Sequence, residues 1–220
     1  MRWVLSVFLL VVGCGSSGGG RPNGGVTVGN GGKPQCGALG IACIGQKLDA
    51  PIALGSTVDL DLRYQIAGTS GPPTVVESAD PTVLRVKGGA RLEAVGAGAS
   101  AILFVGPDKA VLDFIHLWVQ PPTELRVVRY TPQGTPLGKV LPSFKLLVKD
   151  EILVAVEPYA NGQPLLGNFE LQRKLQGTSV AIVPDSISGW YRIVARSPGT
   201  TEINFVALGL SAPLTVEVEP

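Results

Sequence analysis

Ala94-Val95-Gly96-Ala97-Gly98-Ala99-Ser100-Ala101-Ile102-Leu103-Phe104-Val105 is answered, 101 residues later, by Ala195-Arg196-Ser197-Pro198-Gly199-Thr200-Thr201-Glu202-Ile203-Asn204-Phe205-Val206. The two stretches agree at Ala94/Ala195, Gly98/Gly199, Ile102/Ile203, Phe104/Phe205 and Val105/Val206, with Arg91/Arg192 just upstream. Each reads as the end of one strand, a glycine turn, and a second strand with apolar residues at alternate positions. A period of about 100 residues is the length of one β-domain, so two copies of such a domain are expected.

The flanking sequence has the same grammar. Val58, Leu60 and Leu62 alternate with Asp59, Asp61 and Arg63, the pattern of a half-buried strand. Gly68 to Pro73, Ser78-Ala79-Asp80-Pro81 and Lys87-Gly88-Gly89 punctuate short Val-rich runs. Turns every 8–12 residues or so, with about seven strands per copy, are the signature of a small sandwich. In the second copy Ile152, Val154 and Val156 line up with Val58, Leu60 and Leu62. The high Gly (29) and Pro (18) content among 220 residues suits an all-β chain rather than a helical one.

Charge is balanced. Residues 47–122 carry six basic and eight acidic side chains, residues 123–220 nine of each, and the whole chain has a net charge of +1. The basic stripe of a nucleic-acid binder is missing.

The N-terminus reads as an export signal. Met1-Arg2 precedes an apolar run from Trp3 to Val12 that is interrupted only by Ser6. That run is too short to span a bilayer, which takes about 20 apolar residues, and has the length of a signal h-region. Val11-Val12-Gly13-Cys14 resembles the bacterial lipobox. The resemblance implies cleavage before Cys14, diacylglyceryl attachment to its sulfur, and a membrane anchor. Gly15 after the cysteine resembles the pattern sorted to the outer membrane. The plainer alternative is an ordinary signal peptide with a fortuitous cysteine. Nine of the twenty residues from Gly15 to Pro34 are Gly, a composition that cannot bury enough apolar surface to order itself. It is expected to act as a tether with a reach of about 25 Å. With Cys14 lipidated, Cys36 and Cys43 remain. A disulfide between them, in an oxidising compartment, is the expectation.

The run Ser78-Ala79-Asp80-Pro81-Thr82-Val83-Leu84-Arg85-Val86, then Gly88-Gly89, then Ala94 to Ile102, resembles the bacterial immunoglobulin-like domains of the invasin/intimin type. The resemblance covers most of residues 52–119. It extends more weakly to the second copy, where Tyr159-Ala160-Asn161-Gly162-Gln163-Pro164-Leu165 resembles the family's Asn-Gly-x-Pro hairpin. It implies two tandem immunoglobulin-like β-sandwiches. The organisation expected is a signal peptide at 1–13, a lipidated tether with a small disulfide loop at 14–46, and immunoglobulin-like domains at 47–121 and 122–220.

One strand departs from the pattern. With Ile115, Leu117 and Val119 on the core face, the opposite face carries Phe114, His116 and Trp118. The matching face of the second copy holds Thr215, Glu217 and Glu219, which suits water. The aromatic strip could be buried against the other domain or the disulfide loop. It could dock a partner, or the facing could be inverted. Trp190 and Tyr191 read as core and edge residues.

Catalytic constellations are missing from the sequence. His116 is the single histidine, and neither a Gly-x-Ser-x-Gly elbow nor metal-ligand spacing accompanies it. Asp59/Asp61 and Asp150/Glu151 read as solvated strand residues rather than calcium ligands. The expectation is a non-enzymatic envelope protein without a cofactor. It would serve adhesion or spacing, with an unknown envelope protein or glycan as partner. The alternatives are a subunit of an export assembly or a carbohydrate-binding module.

Overall fold

The computed structural model describes residues 25–29, 48, 50–66, 69–70, 73–88, 91–187 and 189–220. Cys14, Cys36 and Cys43 lie outside these residues, as do the signal peptide and most of the tether. The described chain is all-β and forms two sandwiches.

The first sandwich uses β1 (Gly25–Gly29), β2 (Ile52–Ala53), β3 (Thr57–Asp59), β4 (Asp61–Ile66), β5 (Thr69–Ser70), β6 (Val75–Ser78), β7 (Leu84–Lys87), β8 (Arg91–Ala94), β9 (Gly98–Val105) and β10 (Val111–Gln120). One sheet runs β2-β10-β9-β6, and facing it is the sheet β3-β8-β7. Val58, Leu84, Leu92, Ile102, Phe104, Leu117 and Val119 fill the space between them. The expected strand from 55 to 64 is interrupted at Leu60, which is itself buried in this core.

The second sandwich uses β11 (Glu124–Tyr130), β12 (Pro136–Lys139), β13 (Ser143–Leu147), β14 (Glu151–Ala160), β15 (Gln163–Pro164), β16 (Gln172–Gln176), β17 (Val180–Pro184), β18 (Trp190–Ala195), β19 (Gly199–Ala207) and β20 (Leu210–Glu219). Its sheets run β12-β11-β14-β18-β17 and β13-β20-β19-β16. Taken as strands A to G, these are A-B-E-D against C-F-G, the order of a constant-type immunoglobulin sandwich. Val154, Ile193, Ile203, Phe205 and Val216 centre its core.

The repeated stretch is the turn into β9 and β19. Gly98 and Gly199 both have left-handed backbones, with φ of 140° and 134°. Two residues on, a buried hydroxyl holds the neighbouring turn. Ser100 Oγ accepts the Asp80 N–H at 3.1 Å, and Thr201 Oγ1 accepts the Ser179 N–H at 3.0 Å. Ile102/Ile203 and Phe104/Phe205 are buried in their respective cores. The sequence repeat is therefore one piece of architecture made twice. The Asn161-Gly162 hairpin also forms as expected. Both residues have positive φ, 51° and 78°, and Ala160 pairs with Gln163 across a two-residue turn.

The stretch read as a structureless tether contains a strand. β1 pairs antiparallel with β4, from Gly25 against Gln65 to Gly29 against Asp61. The reason is local: Val26, Thr27 and Val28 are β-branched residues set among glycines. The place taken by β1 beside β4 matches that of β11 beside β14 in the second sandwich.

Candidate functional site

β10 is held by β9 along its length, and this pairing fixes which way its side chains point. Val119 stands opposite Gly98, Leu117 opposite Ser100, and Ile115 opposite Ile102. Leu117 and Val119 are buried, and Ile115 packs against the same core. Phe114, His116 and Trp118 consequently face outward, as the alternation predicts, with Phe114 47% and Trp118 56% exposed. Among the described residues, neither the second sandwich nor any other element buries them. Around them lie Ala99, Ala101 and Leu103 of β9 and Glu77 of β6, a face with little charge. The His116 and Phe114 rings meet edge to face, with centroids 5.3 Å apart and planes at 81°.

Asp59, Asp150 and Glu151 of the acidic pairs are engaged elsewhere. Asp59 takes Arg91, Glu151 takes Arg192, and Asp150 accepts the Leu147 N–H at 3.0 Å. Among the described residues no three His, Cys, Asp or Glu side chains come together as a metal site would need.

Two features lie outside what the sequence suggested. The first is the joint between the sandwiches. The segment Leu165–Asn168 leaves the second sandwich and runs along the first. Ala53 N–H donates to the Leu166 carbonyl at 2.7 Å, and Leu166 N–H donates to the Pro51 carbonyl at 2.8 Å. Thr57 and Asn168 exchange backbone bonds of 2.9 and 2.7 Å. The Leu166 side chain is buried in the first core, and Leu165 packs with Ala53 and Ala160. Gly167 has φ of 136°, and a Cβ there would stand 1.8 Å from Ser56 Oγ. Only glycine lets the backbone come this close. The signal that could have found the joint is the run Leu165-Leu166-Gly167 after a hairpin turn, apolar where a loop should be polar.

The second feature is the outer face of β14. Both faces of this strand are buried: Ile152, Val154 and Val156 in the main core, Leu153, Ala155 and Glu157 on the other side. The Tyr130 and Trp190 rings stack 4.5 Å apart and cover that second side, so Trp190 is buried outside the main core. Glu157 is only 6% exposed. It accepts the Tyr130 hydroxyl at 2.6 Å and the Tyr159 hydroxyl at 3.3 Å. Burial pushes the Glu157 carboxyl up to about 7, against the partial opposition of the two phenol bonds. Burial and the nearby carboxylate push Tyr159 up to about 12, and the same two causes raise Tyr130. Arg126 stands directly across the strands from Glu157. Its guanidinium is turned to Glu124, at 2.7 Å, and lies 4.0 Å from the centre of the Tyr159 ring.

No family model matches the chain. No curated protein matches it. Among solved structures it is similar to the adhesin InvE of Yersinia pseudotuberculosis, at 13% identity over 92% of this chain and 62% of that one, TM-score 0.33. It is similar to the Escherichia coli adhesin FdeC, at 14% identity over 78% of this chain and 62% of that one, TM-score 0.32. Domains 4 and 5 of the S-layer protein SbsC are similar at 14% identity, over 77% of this chain and 92% of that fragment, TM-score 0.28. The chain thus spans less than two thirds of each of these adhesin structures. With TM-scores of about 0.3, the fold rests on the chain's own strand pairing.

Proposed function

We propose that this chain is a non-catalytic, lipid-anchored protein of the bacterial cell envelope. In this reading its two sandwiches form a stiff spacer that presents one surface away from the membrane. The observation that carries the reading is the joint: four backbone hydrogen bonds and the Leu166 side chain tie one sandwich to the other. Flexible linkers between modules lack such a tie. The test is the distribution of distances between spin labels at Lys109 and Glu202 in the full-length chain. A narrow distribution is expected, broadened by Gly167→Val. A broad distribution in the unsubstituted chain refutes the spacer.

The anchor rests on Val11-Val12-Gly13-Cys14. Mass spectrometry of protein extracted from envelopes should find Cys14 as an acylated first residue, with Cys36 and Cys43 oxidised together. An unmodified thiol at Cys14 removes the anchor and the outer-membrane location with it.

The presented surface is the strip Phe114, His116 and Trp118, and its partner is another protein with an apolar face. A contiguous apolar face left in water favours a protein contact, whether for adhesion or within an envelope assembly. The 81° angle between the Phe114 and His116 rings offers no coplanar platform for a sugar ring, so a glycan is the second reading. A photo-crosslinker at Ala99 in intact envelopes should capture one defined protein, and Phe114→Ser/Trp118→Ser should abolish the capture. Glycan binding by the unsubstituted chain that disappears in the same variant would favour the second reading.

A further inference from the structure

The buried carboxyl on β14 sits at the root of the joint. Glu157 is followed directly by Pro158, whose carbonyl accepts the Leu165 N–H at 2.9 Å. Tyr159 comes next. Its hydroxyl donates to Glu157, and its carbonyl accepts the Thr123 N–H at 2.8 Å, in the short linker between the sandwiches. Leu165 leads to Leu166 and so into the first core. The side chain that loses a proton and the backbone that crosses between sandwiches are therefore consecutive links.

We propose that Glu157 makes the joint responsive to pH, tight while its carboxyl is protonated and loosened when it ionises. The inference rests on the spacer reading and adds a regulation to it. Within this low-dielectric pocket a neutral acid can give its own proton to one phenol oxygen and accept the other phenol's, whereas a carboxylate, even with both phenols donating, keeps a buried charge that only water or a cation neutralises. The charged groups facing it are few. β11 contributes Tyr130, Arg126 and Glu124; β12 contributes Lys139, which is committed to Glu124; and β14 itself contributes Tyr159. β15 brings Gln163 and Pro164; β18 brings Trp190 and, farther along the same face, Arg192, which is committed to Asp185 and Glu151; residues 51–56 of the first sandwich are uncharged. Among the described residues Arg126 is the cation that stands across the strands from Glu157. To meet an ionised Glu157 it must leave Glu124 and the Tyr159 ring. Either that move or the entry of water disturbs Tyr159, and with it the backbone holding Leu165 and Thr123.

The test is amide exchange of the full-length chain in detergent at pH 5.5, 6.5, 7.5 and 8.5, corrected for intrinsic exchange. Protection at Ala53, Thr57, Leu166 and Asn168 should fall about tenfold or more across this range. Protection at Ile203 and Phe205, in the centre of β19, should stay level. Glu157→Gln should flatten the joint's pH dependence. Tyr130→Phe, which removes one phenol donor and spares the packing, should move the transition to higher pH. The inference is overturned by equal pH profiles in the unsubstituted and Gln variants, or by a Tyr130→Phe profile that does not move. It is also overturned if the β19 amides lose protection in step with the joint. Joint amides unprotected at every pH would sink the spacer reading, and this inference along with it.

Discussion

β10 and β20 occupy the same place in their sandwiches, yet their outer faces are opposites. Pairing with Gly98 and Gly199 sets Val119 against Val218, so Phe114, His116 and Trp118 correspond to Pro213, Thr215 and Glu217. In the second sandwich β13 runs beside β20, and Lys145 bridges Glu217 at 3.4 Å and Glu219 at 2.5 Å. In the first, β2 is two residues long and brings no such cation. The opposite sheets reverse the contrast. On the first, Asp59 and Arg91 form an ion pair in water. On the second, the positions of those two residues are Leu153 and Arg192, and Leu153 is covered by aromatic rings. Each copy keeps one outer face polar. What differs is whether the other apolar face is covered from within the chain. The second sandwich covers its own with Tyr130 and Trp190; among the described residues nothing covers that of the first.

The largest effect should come from the shared core. Phe104→Ala and Phe205→Ala should each cost about 3–5 kcal/mol by denaturant titration. If the joint couples the sandwiches, both variants should shift one cooperative transition. Two transitions, with only one displaced by each variant, would separate the copies.

Next is Glu157. Its carboxyl is raised by burial from 4.5 to about 7, so the folded state binds its proton more tightly than the unfolded chain does. This stabilisation is complete below about pH 4.5 and is lost as pH rises through about 7, a change of roughly 3 kcal/mol. Glu157→Gln should remove that slope from the melting temperature. Asp185, lowered by the Ile187 N–H bond and by Arg192, and Asp80, lowered by Thr82, act the other way. Their contribution is lost as pH falls through their own depressed values. Stability should therefore peak between the two windows. The position aligned with Glu157 in the first copy is Arg63, so the slope is expected from the second copy.

Gly167→Ala should cost about 1–3 kcal/mol, because the new Cβ meets Ser56 while the backbone keeps a left-handed φ. The readout is thermal melting together with the spin-label distances. No broadening with this variant would show that the joint does not depend on close approach.

The smallest effect is expected at the strip. Phe114→Ser/Trp118→Ser should change stability by no more than about 0.5 kcal/mol per site, since both side chains are about half exposed and neither belongs to a core cluster. A loss of 2 kcal/mol or more, measured by urea titration, would mean that the strip is covered after all and is not a docking face.

Alternation separated the two faces of β10, and the likeness to Leu214–Val218 in the second copy chose the inward one. Leu117 and Val119 do go inward, and Phe114, His116 and Trp118 come out. The exposure of the strip was not legible, because periodicity assigns a side and says nothing about what lies over it. β14 shows the same limit from the other direction. Ile152, Val154 and Val156 read as its core face and are. Leu153, Ala155 and Glu157 read as its other face, and nothing adjacent announced that Tyr130 and Trp190, 23 and 35 residues away from Leu153 and Ala155 respectively, would bury it. The five-residue strand at Gly25–Gly29 was hidden by glycine-rich surroundings.

By itself the sequence determined that the chain is all-β and twofold repeated. Alternation, glycine turns and the Ile-x-Phe spacing are local, and backbone sterics translate them directly into strands and bends. The tertiary structure decided which apolar faces stay in water, where a carboxyl is shut away, and how one copy grips the other. Those outcomes depend on residues such as Ala53 and Leu166, more than a hundred positions apart, whose contact no local pattern encodes.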